Sequence, residues 1–169
     1  QDIVQPEASY VDLAENVSED MTDQVPVSLV LRGWTGPDMT HADSVPLAVG
    51  MHILGGLASS RLDNALVREE QVAVGVSAGA EQFEQLSMLQ IQMQITPGVE
   101  REKAMAAFDA VIARMLTEGP TADELERSAT QLVSGQIGAL EAVGGFGGKG
   151  STLAEGLLYT GSADHYKHE

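Results

Sequence analysis

The sequence predicts an α+β fold, an antiparallel or mixed sheet with helices packed on one face. Three observations carry this. Residues 86–96, LSMLQIQMQIT, alternate Leu89, Ile91, Met93 and Ile95 with Gln90, Gln92 and Gln94, the period-two pattern of a strand with one buried and one polar face. A shorter alternating run, Val72, Val74 and Val76, precedes it across a brief connection at residues 80–85 and reads as its hairpin partner. Long helical patterns then follow in succession and do not alternate with strands, which argues against a βαβ layout.

Taken in order, residues 1–24 are acidic and carry few large apolar side chains besides Tyr10, Val11 and Leu13, as in a lead-in or linker. Residues 25–169 read as a single α+β domain. Its first strand spans 26–34, PVSLVLRGW, with Val27, Leu29 and Leu31 on one face and Ser28, Val30 and Arg32 on the other. A polar turn leads to a helix capped by Asp43 or Ser44, with Pro46 in its first turn, that stops at Gly55 and Gly56. A second helix runs from 59 to about 70, with Ser59 or Ser60 as N-cap and Leu62, Leu66 and Val67 as its apolar side. The two strands follow. Residues 99–118 form a long helix with an apolar stripe of Ala104, Phe108, Val111, Ile112 and Met115, ended by Gly119-Pro120. Thr121 and Glu124 form a capping-box pattern that opens the next helix, which runs toward Val143. The glycine-rich segment 144–150 breaks it, and helical spacing resumes over 152–159. The last residues, ADHYKHE, fall in a further helix without a stop signal, as expected of a domain cut from a longer polypeptide.

Composition narrows the function. The chain has 169 residues, 9 Lys+Arg against 25 Asp+Glu, and a formal net charge of -16. Phosphate backbones and anionic lipid surfaces are repelled by such a chain, so nucleic acid and membrane are not expected partners. With no cysteine there is no disulfide, thiolate nucleophile or cysteine-based zinc site. No apolar stretch is long enough to span a bilayer. The amino terminus lacks a signal-peptide pattern. A parent with an upstream signal peptide would place the domain in the bacterial periplasm; the sequence itself leaves the compartment open.

The chemistry-bearing residues do not assemble into a motif. His165, His168 and Glu169 spell HxxHE, which is neither HExxH nor HxxEH, so the base would point away from the histidine pair. His52 sits in an apolar helix as a packed histidine, and His41 lies in a polar turn. The segment GGFGGKGS at 144–151 lacks the first glycine of a phosphate loop and follows a helix where a strand is required. The carboxylate pairs Glu69-Glu70 and Asp123-Glu124 belong to helix ends and solvated faces. No serine stands in GxSxG.

The stretch 54–80 carries a resemblance. LGGLASSRLDNALVREEQVAVGVSA is similar to the segment of pitrilysin or insulinase-type zinc peptidases that reads roughly LGGG-SSRL-LVRE-A-VSA. The likeness continues through the strand ending in ITPGVE, through FDAVIARMLTEGPTADELERS, and into GLLYTGSADHY. It implies the mitochondrial processing peptidase-like metallohydrolase fold. In that family each half has two similar α+β domains. The first of the active half binds zinc through HxxEH and a distal glutamate, and the second lacks the metal motif. This chain resembles the second. Zinc is then expected in the parent's first domain and no cofactor in this one.

The resemblance also implies a non-catalytic domain that helps to form the substrate chamber of a zinc metalloendopeptidase. Its partners are the parent's other domains and, in the parent, a peptide substrate. Related peptidases often carry an arginine and, several residues later, a tyrosine that both touch substrate. Arg68 stands at the arginine and is the implied substrate-binding residue. Val74 stands where the tyrosine would be, with a spacing one residue shorter, which favours the inactive domain of the amino-terminal half. No catalytic or metal residue is expected here. Two alternatives remain open: a structural or assembly subunit of the same architecture, like the inactive core proteins of the bc1 complex, and an acidic ligand-binding module that uses the Gln90-Gln92-Gln94 face.

Overall fold

The computed structural model describes residues 13–19, 21, 24 and 27–167. Most of the acidic lead-in, the expected first-strand residue Pro26, and His168 with Glu169 of the HxxHE pattern lie outside the described residues.

The elements run β1 (Leu29–Gly36), α1 (Ser44–Gly55), a π-helix (Asp63–Glu69), β2 (Ala73–Gln82), β3 (Ser87–Ile95), α2 (Arg101–Glu118), α3 (Ala122–Glu141), α4 (Lys149–Thr160) and a 3-10 turn (His165–Lys167). The fold is α+β, and its three-stranded sheet is antiparallel throughout, ordered β1-β3-β2. The strand with the clearest alternation is thus the central one. Ile91 and Met93 are completely or almost completely buried, and Ile95 nearly so. They pack with Leu62 and Leu66 before β2, with Val72 at its start, and with Ala104, Phe108 and Val111 of α2. Burying several large side chains at about 1.5–3 kcal/mol each is the main force holding α2 and the π-helix on one face of the sheet.

In β1 the face assignment differs from what the apolar pattern suggests. Val30 packs toward the core, whereas Leu29 and Leu31 are 53% and 60% exposed on the open side. Arg32 decides it. Its guanidinium lies 4.8 Å from the Phe108 ring centroid, and Nη1 donates to Asp109 Oδ1 at 2.6 Å. A cation–π contact and an ion pair on α2 draw the arginine inward, and the pleat turns its neighbours outward.

Helix starts also differ. Neither Asp43 nor Ser44 caps α1 with its side chain, since Ser44 Oγ donates to the Met39 carbonyl. Thr121 does cap α3, in a complete capping box with Glu124. Gly119, at φ 69°, ends α2 in a backbone region that side chains avoid. Gly161, at φ 74°, ends α4. The expected terminal helix is a 3-10 turn over His165–Lys167. No helix among the described residues is long and apolar enough to cross a membrane.

Candidate functional site

The stretch 54–80 joins α1 to β2. The glycine pair is there for close packing. A Cβ on Gly55 would sit 2.6 Å from the Ala78 backbone nitrogen and 2.7 Å from the Ala78 Cβ. Only a bare Cα lets the end of α1 rest on β2. A Cβ on Gly56 would collide with the His52 ring. Both glycines keep right-handed backbone, Gly56 at φ -83°, so besides ending α1 as expected they serve close packing.

The next turn places Ser60 in the interior, where its hydroxyl makes no hydrogen bond. It is no N-cap. Beside it, Arg61 forms a bidentate ion pair across the fold. Nε donates to Glu124 Oε1 at 2.7 Å, and Nη2 donates to Glu124 Oε2 at 2.7 Å and to the Gly119 carbonyl at 2.8 Å. The two side chains are only 10% and 18% exposed. Bidentate geometry at low exposure makes this a strong charge-assisted pair. It holds the Glu124 carboxyl down at about 2, helped by the Thr121 backbone and hydroxyl, and it raises the Arg61 pKa. Arg61 thereby clamps the start of the π-helix to the α2–α3 junction. A polar recess of about 270 Å³ beside it is lined by Asn64, Arg114, Glu118 and Glu124.

Leu62 and Leu66 anchor the π-helix with no exposed surface. The wider pitch shows in the bond from the Glu70 N–H to the Ala65 carbonyl, 2.9 Å long. The expected helix over 59–70 is therefore mostly π, and its residues turn more slowly than α-helical spacing assumes. Arg68, the implied substrate residue, is 60% exposed. Its Nε donates to Asp63 Oδ2 at 2.7 Å and Nη2 donates to the Ala58 carbonyl. The guanidinium braces the 58–63 turn, with the rest of its surface toward solvent.

The chain then passes through Gln71 in left-handed backbone at φ 54° and enters β2 with a bulge. Ala73 pairs with Ile95 and Gly75 with Gln94, which leaves Val74 without a partner position. The three valines consequently do not share a face. Val72 and Ala73 are both buried, Val74 is 50% exposed, and Val76 returns to the core. An extra residue in one strand reverses the side-chain parity beyond it. Beyond the bulge, Gly75, Ser77 and Gly79 stand opposite Gln94, Gln92 and Gln90 on the open sheet face.

The remaining candidates stay apart. His52 Nδ1 lies 2.7 Å from the hydroxyl of fully buried Ser128 and ties α1 to α3; burial pushes the His52 pKa down. The pair is a helix-to-helix tie. His41 accepts from the Asp43 N–H at 3.1 Å within its own turn. Among the described residues no group of three or more His, Asp or Glu side chains can hold a metal ion. The glycine-rich segment links α3 to α4, and the Lys149 N–H donates to the Ala142 carbonyl at 2.9 Å to close it. A cleft of about 820 Å³ opens between the 57–59 turn and α3, lined by Ser59, Asp123, Arg127, Gln131 and Ser134. It is polar and mixed in charge, and its lining residues present no nucleophile paired with a base.

The family model of the peptidase M16 inactive domain matches residues 1–132. The chain belongs to the peptidase M16 inactive-domain family. Its fold is similar to the inactive peptidase domain of a candidate zinc protease from Bordetella parapertussis, at 23% identity and a TM-score of 0.69 over 83% of this chain and 74% of that one. It is similar to a protease from Helicobacter pylori, at 21% identity and a TM-score of 0.69 over 85% of this chain and 35% of that one. A chain of complex III2 from Candida albicans is similar at 11% identity and a TM-score of 0.68, over 87% of this chain and 36% of that one. No protein of curated function matches the chain.

Proposed function

We propose that this chain is the metal-free second α+β domain of a pitrilysin-type zinc metallopeptidase. In the parent it pairs with the first domain, which binds the zinc, completes the half-shell and helps to wall the substrate chamber. The match of residues 1–132 to the inactive-domain family is the observation that carries this reading. The braced junction of α1, the π-helix and the α2–α3 corner supports it. In this reading residues 1–24 connect the domains and residues 25–169 belong to the second one. Acidic surface keeps nucleic acid away.

Peptide contact in the chamber falls to Arg68, whose guanidinium is partly exposed above the 58–63 turn. In the parent, Arg68→Ala raises KM for peptides several-fold with kcat nearly unchanged, the signature of lost uniform binding. An unchanged KM, with only a lower thermal midpoint from loss of the Asp63 brace, would remove Arg68 from the substrate path.

The resemblance to a complex III2 chain favours one second reading, a non-enzymatic assembly subunit of the same architecture. The sequence upstream in the parent separates the two. An HxxEH helix there supports the peptidase. A parent with no zinc motif in any domain contradicts it and supports assembly.

A further inference from the structure

We infer that Asp63 is a positioning residue that aims the Arg68 guanidinium at the peptide, and that the π-helix is what brings the two side chains together. The inference rests on the reading of Arg68 as the peptide contact and adds a second residue to it. The Arg68 side chain is 60% exposed and that of Asp63 only 20%. Arg68 Nε donates to Asp63 Oδ2 at 2.7 Å, and Nη2 donates to the Ala58 carbonyl. One edge of the guanidinium is thus held by two acceptors that belong to the fold. An arginine carries further N–H donors, and this one keeps most of its side chain in solvent.

The spacing explains the π-helix. Five residues make about 1.4 turns of an α-helix, which would set Asp63 and Arg68 about 140° apart around its axis. Bonds between residues five apart widen the turn and bring such residues onto one side. The Glu70 N–H bonds to the Ala65 carbonyl in this way, and the Val72 N–H reaches the Leu66 carbonyl at 2.9 Å. Leu62 and Leu66, with no exposed surface, fix the backbone before and after Asp63. An ion pair this open to solvent contributes little to stability, so its effect falls on orientation. A guanidinium held in advance loses less side-chain freedom when a peptide binds. Its outward donors suit a backbone carbonyl. Glu69 and Glu70, both exposed, follow Arg68 directly and disfavour a substrate carboxylate there.

Peptidase kinetics of the parent carrying Asp63→Ala, Arg68→Ala and both together test it. Asp63→Ala raises KM for peptides several-fold with kcat nearly unchanged. Asp63→Glu, which keeps the carboxylate, restores most of that loss. The double variant is no worse than Arg68→Ala alone, because the two residues act as one unit. In this chain by itself, the heteronuclear NOE of the Arg68 Nε–H group reads the aim directly. It is high in the wild type and drops in Asp63→Ala to that of a freely moving arginine, with the backbone amide spectrum otherwise unchanged. A KM raised by Arg68→Ala but untouched by Asp63→Ala, effects of the two that add, or a wild-type Nε–H already freely mobile would overturn the inference and leave the peptide contact of Arg68 standing. A KM unchanged by Arg68→Ala would remove that contact, and this inference with it.

Discussion

Two residues, Arg61 and Glu124, do more for this fold than their surface-like residue types suggest. Each is nearly enclosed, and each satisfies the other's charge. Glu124→Gln keeps a group able to serve the capping box but leaves Arg61 without its counter-charge, so it should lower stability by about 3 kcal/mol. The pH dependence has a definite sign. The folded carboxyl titrates near 2 against a reference of 4.5. Its contribution is complete above the reference value and is lost as pH falls toward the folded one. Chemical denaturation of wild type and Glu124→Gln between those limits should converge; a constant difference across that window would refute the assignment. Glycines of one helix make a second contrast. A Cβ on Gly55 strikes β2, whereas one on Gly50 meets nothing within 4 Å. Gly55→Ala should destabilise by roughly 2 kcal/mol or more, and Gly50→Ala should stabilise by about 1 kcal/mol. Equal effects of the two in thermal unfolding would contradict the close-packing role.

Among the elements, those set by local spacing were readable from the chain. The stripe Ala104, Phe108 and Val111 specifies α2, the Thr121–Glu124 box opens α3, and the glutamine alternation marks β3. What local spacing misses depends on distant partners. The inward turn of Arg32 comes from Phe108 and Asp109 of α2, far along the chain, and no property of β1 alone announces it. The bulge at Val74 is likewise invisible to a period-two count, because a run of alternating valines looks the same with or without an unpaired residue. It yields a test by deletion. Removing Val74 joins Ala73 to Gly75 as a regular ladder and should cost less than about 1 kcal/mol, while removing Ser77 flips the downstream side chains to the wrong face and should prevent folding. If the two deletions are equally tolerated, the register is wrong.

For the whole molecule, the charge balance and the lack of cysteine only excluded classes of function, the resemblance over 54–80 implied the second domain of a zinc peptidase, and the family match agrees on the inactive domain. The site was less legible than the fold. The glycine pair, read as a helix stop, is also a packing surface. Ser60 looked like a cap and its buried hydroxyl caps nothing, and Arg61, noticed only as part of the SSRL resemblance, is the clamp. Such roles emerge only when α1, the π-helix and the α2–α3 junction meet. In the proposed function this domain supplies architecture and no zinc chemistry. Elemental analysis of the purified chain after equilibration with zinc and exhaustive dialysis, paired with a fluorogenic peptide assay, tests it most directly. The account predicts far less zinc than protein and no hydrolysis; stoichiometric, tightly held zinc accompanied by peptide cleavage would contradict it.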